Sequence, residues 1–237
     1  MPPEPEPHDA DGPRPLKITI VTGYVPIPGH PRAEAEYERL GEQLRQIRGA
    51  PLRVFRCKLE DCWLWEHVTD RKVQHAVADN PAKNSVAYHV VQHQKTAWLL
   101  QALDTDAADV FVWIDYGISH QSGVTAAVID EFLLRVRRSS EIVLPGGWER
   151  AEGANEVDWR FPNWRFCGCS LVVPRGLVRP FHEAVRQVTL ERLSVCGQLT
   201  WEINDWAEVE RRKMLPMRWY RATHNQTQFT NYTDATA

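Results

Sequence analysis

Apolar residues recur along this chain with two periods, and the alternation between them predicts the fold. LKITIVTGY (16–24) is a short β-branched run that ends at Gly23, as a first strand of a sheet would. After the loop VPIPGHP, the residues Tyr37, Leu40, Leu44 and Ile47 step by three and four, a helical stripe closed by Gly49-Ala50-Pro51. LRVFR (52–56) predicts a second strand, and KLEDCWLWEHV a loop with a helical turn. NSVAYHVVQHQKTAWLLQAL (84–103) is the strongest helical pattern, capped by Asn84 or Ser85, with Val86, Val90, Ala97, Leu100 and Leu103 along one side.

DVFVWID (109–115) has no polar alternation, which predicts a strand covered on both faces in a parallel sheet. Residues 125–138 form another helix with Val128, Phe132 and Val136 on one side, and EIVLP (141–145) another strand. The polar stretch 145–163 reads as a long loop, WRFCGCSLVVP (164–174) as paired short strands or one bent strand, and 176–195 and 198–212 as helices. MLPMRWYRATH closes the chain as a strand running into a loop. Strands alternating with helices predict an α/β fold, a mostly parallel sheet flanked by helices, with the ligand site outside the carboxyl ends of the strands.

Composition refines this in three ways. Hydrophobic residues make up 43% and charged residues 25%, so residues 16–237 are expected to form one globular domain. Six of the sixteen prolines fall in residues 1–15, a tail expected to be disordered. That stretch is neither basic nor apolar and no run of eighteen apolar residues follows, so the expectation is a cytoplasmic protein without a membrane span. The formal net charge of −3 makes no global case for binding DNA. Five cysteines in irregular spacing do not form a disulfide framework, and C-x₄-C (57–62) with C-x-C (167–169) is a poor zinc pattern.

Candidate chemistry gathers at strand ends. Asp115 ends the apolar strand, and its ordinary role would be to begin a turn. Alternatively, a carboxylate there, with Gly117 leaving room beside it, suits a divalent cation that carries a phosphate, because Mg²⁺ or Mn²⁺ takes only one or two protein carboxylates when phosphates supply the rest. His224, after the last strand, is either a surface residue or a second ligand, since imidazole also suits Mn²⁺. Neither GxGxxG nor GxxxxGK[ST] occurs, which argues against a nicotinamide or flavin site and against a P-loop.

FVWIDYGI, preceded by the lysine-bearing NSVAYHVVQHQKTAWLLQAL, resembles the core of GT-A-type glycosyltransferases, most like the HtrL/YibB (WlaTC) group of bacterial proteins. The specific part spans about 84–120; FCGCSLVVP and WEINDWAEVE match in kind only. The resemblance implies a GT-A-like (Rossmann-like) domain. It implies transfer of a hexosyl or pentosyl group from a nucleotide-diphosphate sugar, a UDP-sugar favoured, to an acceptor hydroxyl. W-I-D stands for a DxD motif whose second acidic position is here Gly117, so the motif supplies one carboxylate. By the same resemblance Asp115 and His224 hold Mn²⁺ or Mg²⁺, and Lys95 lies near the diphosphate. Thr22, Gly23 and Tyr24 seat the nucleotide, and Asp205 or Glu202 meets the acceptor. Gly168, between Cys167 and Cys169, leaves a small face for backbone to approach a sugar.

The resemblance implies a bacterial glycan as the acceptor, and a modified nucleic-acid base in DNA is the other expectation. The second possibility draws on Arg211, Arg212, Lys213, Arg218 and Arg221 beside Trp219 and Tyr220. Two other classes compete: a metal-dependent phosphoesterase using Asp115, His120 and His224, and a non-catalytic nucleotide- or glycan-binding module.

Overall fold

The computed structural model describes residues 14–30, 32, 34–69, 73–75, 77–149 and 158–232. The proline-rich tail lies almost wholly outside these residues, as does the centre of the long polar loop.

Among the described residues, eight strands and seven helices follow in chain order: β1 (Ile18–Tyr24), α1 (Glu34–Leu44), β2 (Leu52–Arg56), α2 (Trp65–Val68), β3 (Gln74–His75), α3 (Val86–Thr105), β4 (Val110–Ile114), α4 (Ala126–Leu133), β5 (Ile142–Gly146), β6 (Ser170–Pro174), α5 (Arg175–Cys196), β7 (Gln198–Leu199), α6 (Glu202–Arg211), β8 (Met217–Arg221) and α7 (Thr227–Thr230). Short 3₁₀ turns stand at 59–61, 81–83 and 118–120. The main sheet has the order β2-β1-β4-β6-β5-β8, and a two-stranded sheet joins β3 to β7. Five strands of the main sheet run one way, and β6 lies antiparallel to both β4 and β5.

The uninterrupted VFVWI run has a simple cause. Side chains alternate across a strand, and both faces of this sheet are covered. Phe111 and Trp113 enter one core with Val21, Leu144, Leu171 and the helices α3, α5 and α6. Val110, Val112 and Ile114 enter the other with Ile20, Val143, Val172 and residues of α1, α4 and α7. The result is a three-layer α/β arrangement, as the alternation of elements predicts.

Helix α3 departs from its predicted face. Ser85 caps it as expected, accepting from the Tyr88 amide at 3.1 Å. Its buried residues, however, include His89, His93, Gln94, Lys95 and Thr96, while Val86, Ala97, Leu100 and Leu103 are only half-buried. The helix is sandwiched between β1 and α5, so polar residues must find partners inside the fold.

Three boundaries also differ. The region 164–169 is a series of turns, and β6 begins only at Ser170. The helix expected over 198–212 divides into β7 and α6, because Gln198 and Leu199 pair with Gln74 and His75. The helix expected over 125–138 ends at Leu133.

Candidate functional site

The carboxyl ends of β1, β4, β5 and β8 and the start of the reversed β6 share one edge. Ile114 pairs with Ser170, and the Asp115 amide donates to the Cys169 carbonyl at 2.9 Å. Asp115 therefore stands beside Gly168 and Cys169, on the rim that the β/α alternation predicts.

Its carboxylate is held from behind. Oδ1 accepts from Trp113 Nε1 at 2.7 Å and lies 3.1 Å from Lys95 Nζ. Trp113 is itself fixed by stacking on Trp98, with ring centres 5.7 Å apart. The Lys95 ammonium also donates to Glu202 Oε1 at 2.7 Å and to the Gly168 carbonyl at 2.8 Å. Two of its hydrogen bonds thus go to protein acceptors, and the Asp115 carboxylate pairs with it by charge. Burial alone would push this lysine's pKa down; the Asp115 charge, then that of Glu202, reverses this and holds it above the ordinary value. Glu202 keeps Oε2 buried with no partner. Asp115, 27% exposed at its side chain, is the member of the trio that reaches solvent.

Lys95, expected near the diphosphate, is 4% exposed at its side chain and is the counter-ion of two carboxylates, with hydrogen bonds to Glu202 and the Gly168 carbonyl.

Other side chains converge on the same rim. Tyr88 is half-buried, and its phenol pKa is pushed well up, first by the crowding around its ring and then by the Glu202 and Asp115 charges. Tyr88 packs on Trp201, and Trp201 on Trp164. His224 stands edge-on to Trp164, ring centres 4.7 Å apart. Much of His224 is exposed, yet crowding around its ring, followed by the Lys83 charge, pushes its pKa below the usual imidazole value. Asp115, Lys95 and His120 also act electrostatically on this ring, so Asp115 and His224 belong to one neighbourhood. His120 itself is tied through Nδ1 to the Gly117 carbonyl.

An aromatic group covers the opposite side. Tyr24 lies 5.4 Å from Tyr116, nearly parallel, and 5.2 Å from Tyr37. The Arg56 guanidinium sits over both Tyr24 and Tyr116 and pairs with Glu38 at 2.6 Å. Next to it, Arg32 lies over Tyr37 and His30 stacks on Tyr88. A β-carbon on Gly117 would come within 3.2 Å of Tyr37 and 3.5 Å of Arg32, so the room beside Asp115 is bounded by those two side chains. The pairing of Tyr24 with Tyr116 has a sequence signal: each stands at the carboxyl end of a predicted strand, and those strands are neighbours.

Three candidates lie elsewhere. Thr22 is fully buried on the sheet face that also carries Ile20, and its Oγ1 has no partner. The space a side chain would need at Gly23 is filled by the Trp98 ring, 2.4 Å from an ideal β-carbon, so the packing of α3 on β1 requires glycine there. Asp205 is sealed inside the helical layer. It accepts from His93 Nε2 at 2.7 Å, Thr189 Oγ1 at 2.6 Å and Arg192 NH2 at 3.1 Å, with Arg192 NH1 on the other oxygen. Burial opposes its charge, but Arg192 and His93 more than offset that and hold its pKa at about 2. Asp205 pins α6 to α3 and α5 and cannot reach an acceptor.

Gly168 is the seat of Glu202. A β-carbon there would fall 2.2 Å from Glu202 Oε1, so only glycine lets that carboxylate reach Lys95. Cys167 is buried and Cys169 half-buried, and desolvation pushes both thiol pKa values up, that of Cys167 to about 12.

The donor set for a cation is small. No group of three or more His, Cys, Asp or Glu side chains able to hold a metal occurs among the described residues. Asp115 Oδ2 and the His224 ring nevertheless provide a hard oxygen and an imidazole whose pKa is lowered. That pair fits a divalent ion that arrives with phosphate oxygens and takes few ligands from protein.

Four of the five basic residues expected to form a surface near the carboxyl end have acidic partners. Arg211 and Arg212 bind Glu208, Arg218 faces Glu141 at 3.3 Å, and Arg221 faces Glu149 at 3.3 Å. Trp219 lies under Arg165, and the Tyr220 hydroxyl donates to the Gln228 carbonyl. Among the described residues no helix is long and apolar enough to cross a membrane.

No protein-family model and no curated protein matches the chain. Among solved structures it is similar to a glycosyltransferase involved in the glycosylation of the major capsid of PBCV-1, at 11% identity over 87% of this chain and 81% of that one, with a TM-score of 0.47. It is also similar to a CMP:2-keto-3-deoxy-manno-octonic acid synthetase complexed with CTP, at 12% identity over 87% of this chain and 90% of that one, with a TM-score of 0.44. Likenesses this loose assign no residue a role.

Proposed function

We propose that the chain is a GT-A-like glycosyltransferase, using a nucleotide-diphosphate sugar and transferring the sugar to an acceptor hydroxyl. The observation that carries the reading is the rim trio: a partly exposed Asp115 at the end of β4, braced by a buried Lys95 that also holds Glu202. Kinship with the HtrL/YibB (WlaTC) group is part of the same proposal and rests on FVWIDYGI and the lysine-bearing helix before it. UDP as the nucleotide, a hexose or pentose as the sugar, and a glycan or hydroxylated DNA base as the acceptor belong to it as well. So does action in the cytoplasm, by residues 16–237 as one domain.

In this reading the bond from the sugar's anomeric carbon to the diphosphate breaks, and a bond from that carbon to the acceptor oxygen forms. Asp115 Oδ2 and His224 would hold Mn²⁺ or Mg²⁺, which supplies Lewis-acid stabilisation of the departing diphosphate. Trp113 and Lys95 fix the carboxylate so that one oxygen faces outward. Tyr24, Tyr37 and Tyr116, with Arg56, form the aromatic wall against which a base can pack. With Asp205 consumed by its own network, Glu202 is the carboxylate left for the acceptor side, and in an inverting reaction its unpartnered Oε2 would take the hydroxyl proton.

The test is nucleoside-diphosphate release from a panel of UDP- and GDP-sugars with Mn²⁺. Release by wild type and its loss in Asp115→Asn supports the proposal. Equal release by both sinks the assignment of Asp115. Melting shifts with UDP but no turnover on any acceptor would instead make the chain a binding module.

A further inference from the structure

Two cysteines face each other at the carboxyl end of β2. Cys57 directly follows Arg56, the last residue of that strand, and its sulfur lies 3.9 Å from the sulfur of Cys62. Both thiols are free, Cys57 half-buried and Cys62 only 3% exposed. A tight turn holds the pair. The Lys58 amide donates to Asp61 Oδ2 at 3.1 Å, the Asp61 amide to the Lys58 carbonyl at 3.1 Å, and the Cys62 amide to the Leu59 carbonyl at 3.1 Å. Past the turn, Trp63 is tied to α3, its amide donating to Gln94 at 3.1 Å and its indole to the His93 carbonyl at 3.0 Å. A strand on one side and a helix contact on the other thus keep the two sulfurs within reach of each other, which the C-x₄-C spacing alone does not dictate.

We propose that Cys57 and Cys62 form a redox-active dithiol, a modification site whose substrate is a low-molecular-weight disulfide of the glutathione class. Exposure gives the two sulfurs different tasks. Cys57, the one open to solvent, attacks as a thiolate: its sulfur bonds to one sulfur of oxidised glutathione, and the other leaves as a glutathione thiolate. The Cys62 sulfur, losing its proton, then attacks the Cys57 sulfur and releases the second glutathione. Two protein thiols are oxidised to one disulfide, one glutathione disulfide is reduced to two thiols, and the two protons pass to the departing thiolates.

The contact between the sulfurs supports this order. It favours a thiolate on Cys57, holding its pKa below the ordinary thiol value, while the same contact, followed by burial, pushes that of Cys62 up. An S–S bond is about 2.05 Å long, so closure asks for a modest approach from 3.9 Å, shared by two side chains. The bond forms next to Arg56, whose guanidinium lies over Tyr24 and Tyr116.

The reduced full chain is incubated with oxidised glutathione, quenched with an alkylating agent and mapped by mass spectrometry, wild type beside Cys57→Ala and Cys62→Ala. Wild type is expected to yield the Cys57–Cys62 disulfide, reversed by dithiothreitol, with little glutathione retained. Cys62→Ala stops after the first exchange, so glutathione on Cys57 rises at least about tenfold over wild type. In Cys57→Ala, the buried Cys62 takes up glutathione at least about tenfold more slowly than Cys57 does in Cys62→Ala. Wild type that keeps both thiols, or that retains as much glutathione on Cys57 as Cys62→Ala does, overturns the inference. A Cys62 that reacts as fast as Cys57 overturns it too. Should either variant fail to fold, the wild-type map decides between the internal disulfide and its absence. Sugar transfer enters none of these readouts, so failure of the transferase proposal leaves them unchanged.

Discussion

Replacing Asp205 by Asn separates a stabilising carboxylate from an acceptor-facing one. The wild-type side chain is completely buried and accepts from His93 at 2.7 Å, Thr189 at 2.6 Å and Arg192 through both guanidinium nitrogens. His93 bridges two groups, with Nδ1 2.7 Å from the His89 carbonyl and Nε2 2.7 Å from Asp205. An amide at 205 would leave buried positive charge on Arg192 without its anion and point an N–H at a donor.

Two routes give the size of the effect. Holding the pKa at about 2 against an ordinary 3.8 corresponds to about 2 kcal/mol at 1.36 kcal/mol per unit. An uncompensated cation raises the cost to about 3–5 kcal/mol, and this larger figure is the one expected for Asp205→Asn. Urea denaturation followed by tryptophan fluorescence measures it near neutral pH. The pH dependence has a defined sign. A depressed carboxylate pKa contributes stability that is complete above about 3.8 and is lost as pH falls through about 2, so the gap between wild type and variant narrows over that acid window. Nucleoside-diphosphate release per folded molecule should stay within about threefold of wild type. A variant that keeps stability within about 1 kcal/mol but loses turnover would refute this reasoning and return Asp205 to the acceptor site.

Three further outcomes follow from single contacts. Gly168→Ala places a carbon 2.2 Å from Glu202 Oε1 and should cut nucleoside-diphosphate release at least about tenfold, for about 1–2 kcal/mol of stability in a thermal melt. Gly23→Ala drives a carbon into the Trp98 ring and should cost about 2–3 kcal/mol, while the folded fraction keeps its UDP affinity. His182 is held neutral, its pKa at about 4, by burial first and then by Arg186 and Arg179. Its contribution to stability is complete above about 6.5 and lost as pH falls toward 4, so His182→Asn should flatten denaturant stability across that window.

The strands were legible because their pattern reports burial directly. LRVFR is observed as β2 at the predicted bounds, and VFVWI runs apolar because two helical layers cover it. Asp115 was legible for a related reason, as the first polar residue after that run. Helix α3 was legible as a helix but its buried face was not, because that face carries His89, His93, Gln94, Lys95 and Thr96, whose partners come from distant segments. A periodicity argument reads such residues as solvated. Asp205 and Glu202 share one helical turn, yet one is locked by Arg192 and the other faces Lys95, a difference set by what α6 packs against. Gly23 and Gly168 look alike in sequence; only the neighbouring atoms reveal that one accommodates Trp98 and the other Glu202.

Strand β6 enters the sheet against the direction of its neighbours, and this has an evolutionary corollary. The segment between Gly146 and Ser170 leaves the sheet and re-enters it at the same edge, the one occupied by Asp115. Lengthening or rewriting that excursion would alter the surroundings of Asp115 without shifting a rung of the central ladder. If the proposed transferase activity holds, new acceptor preferences can arise there by insertion while Asp115 and Lys95 stay in place.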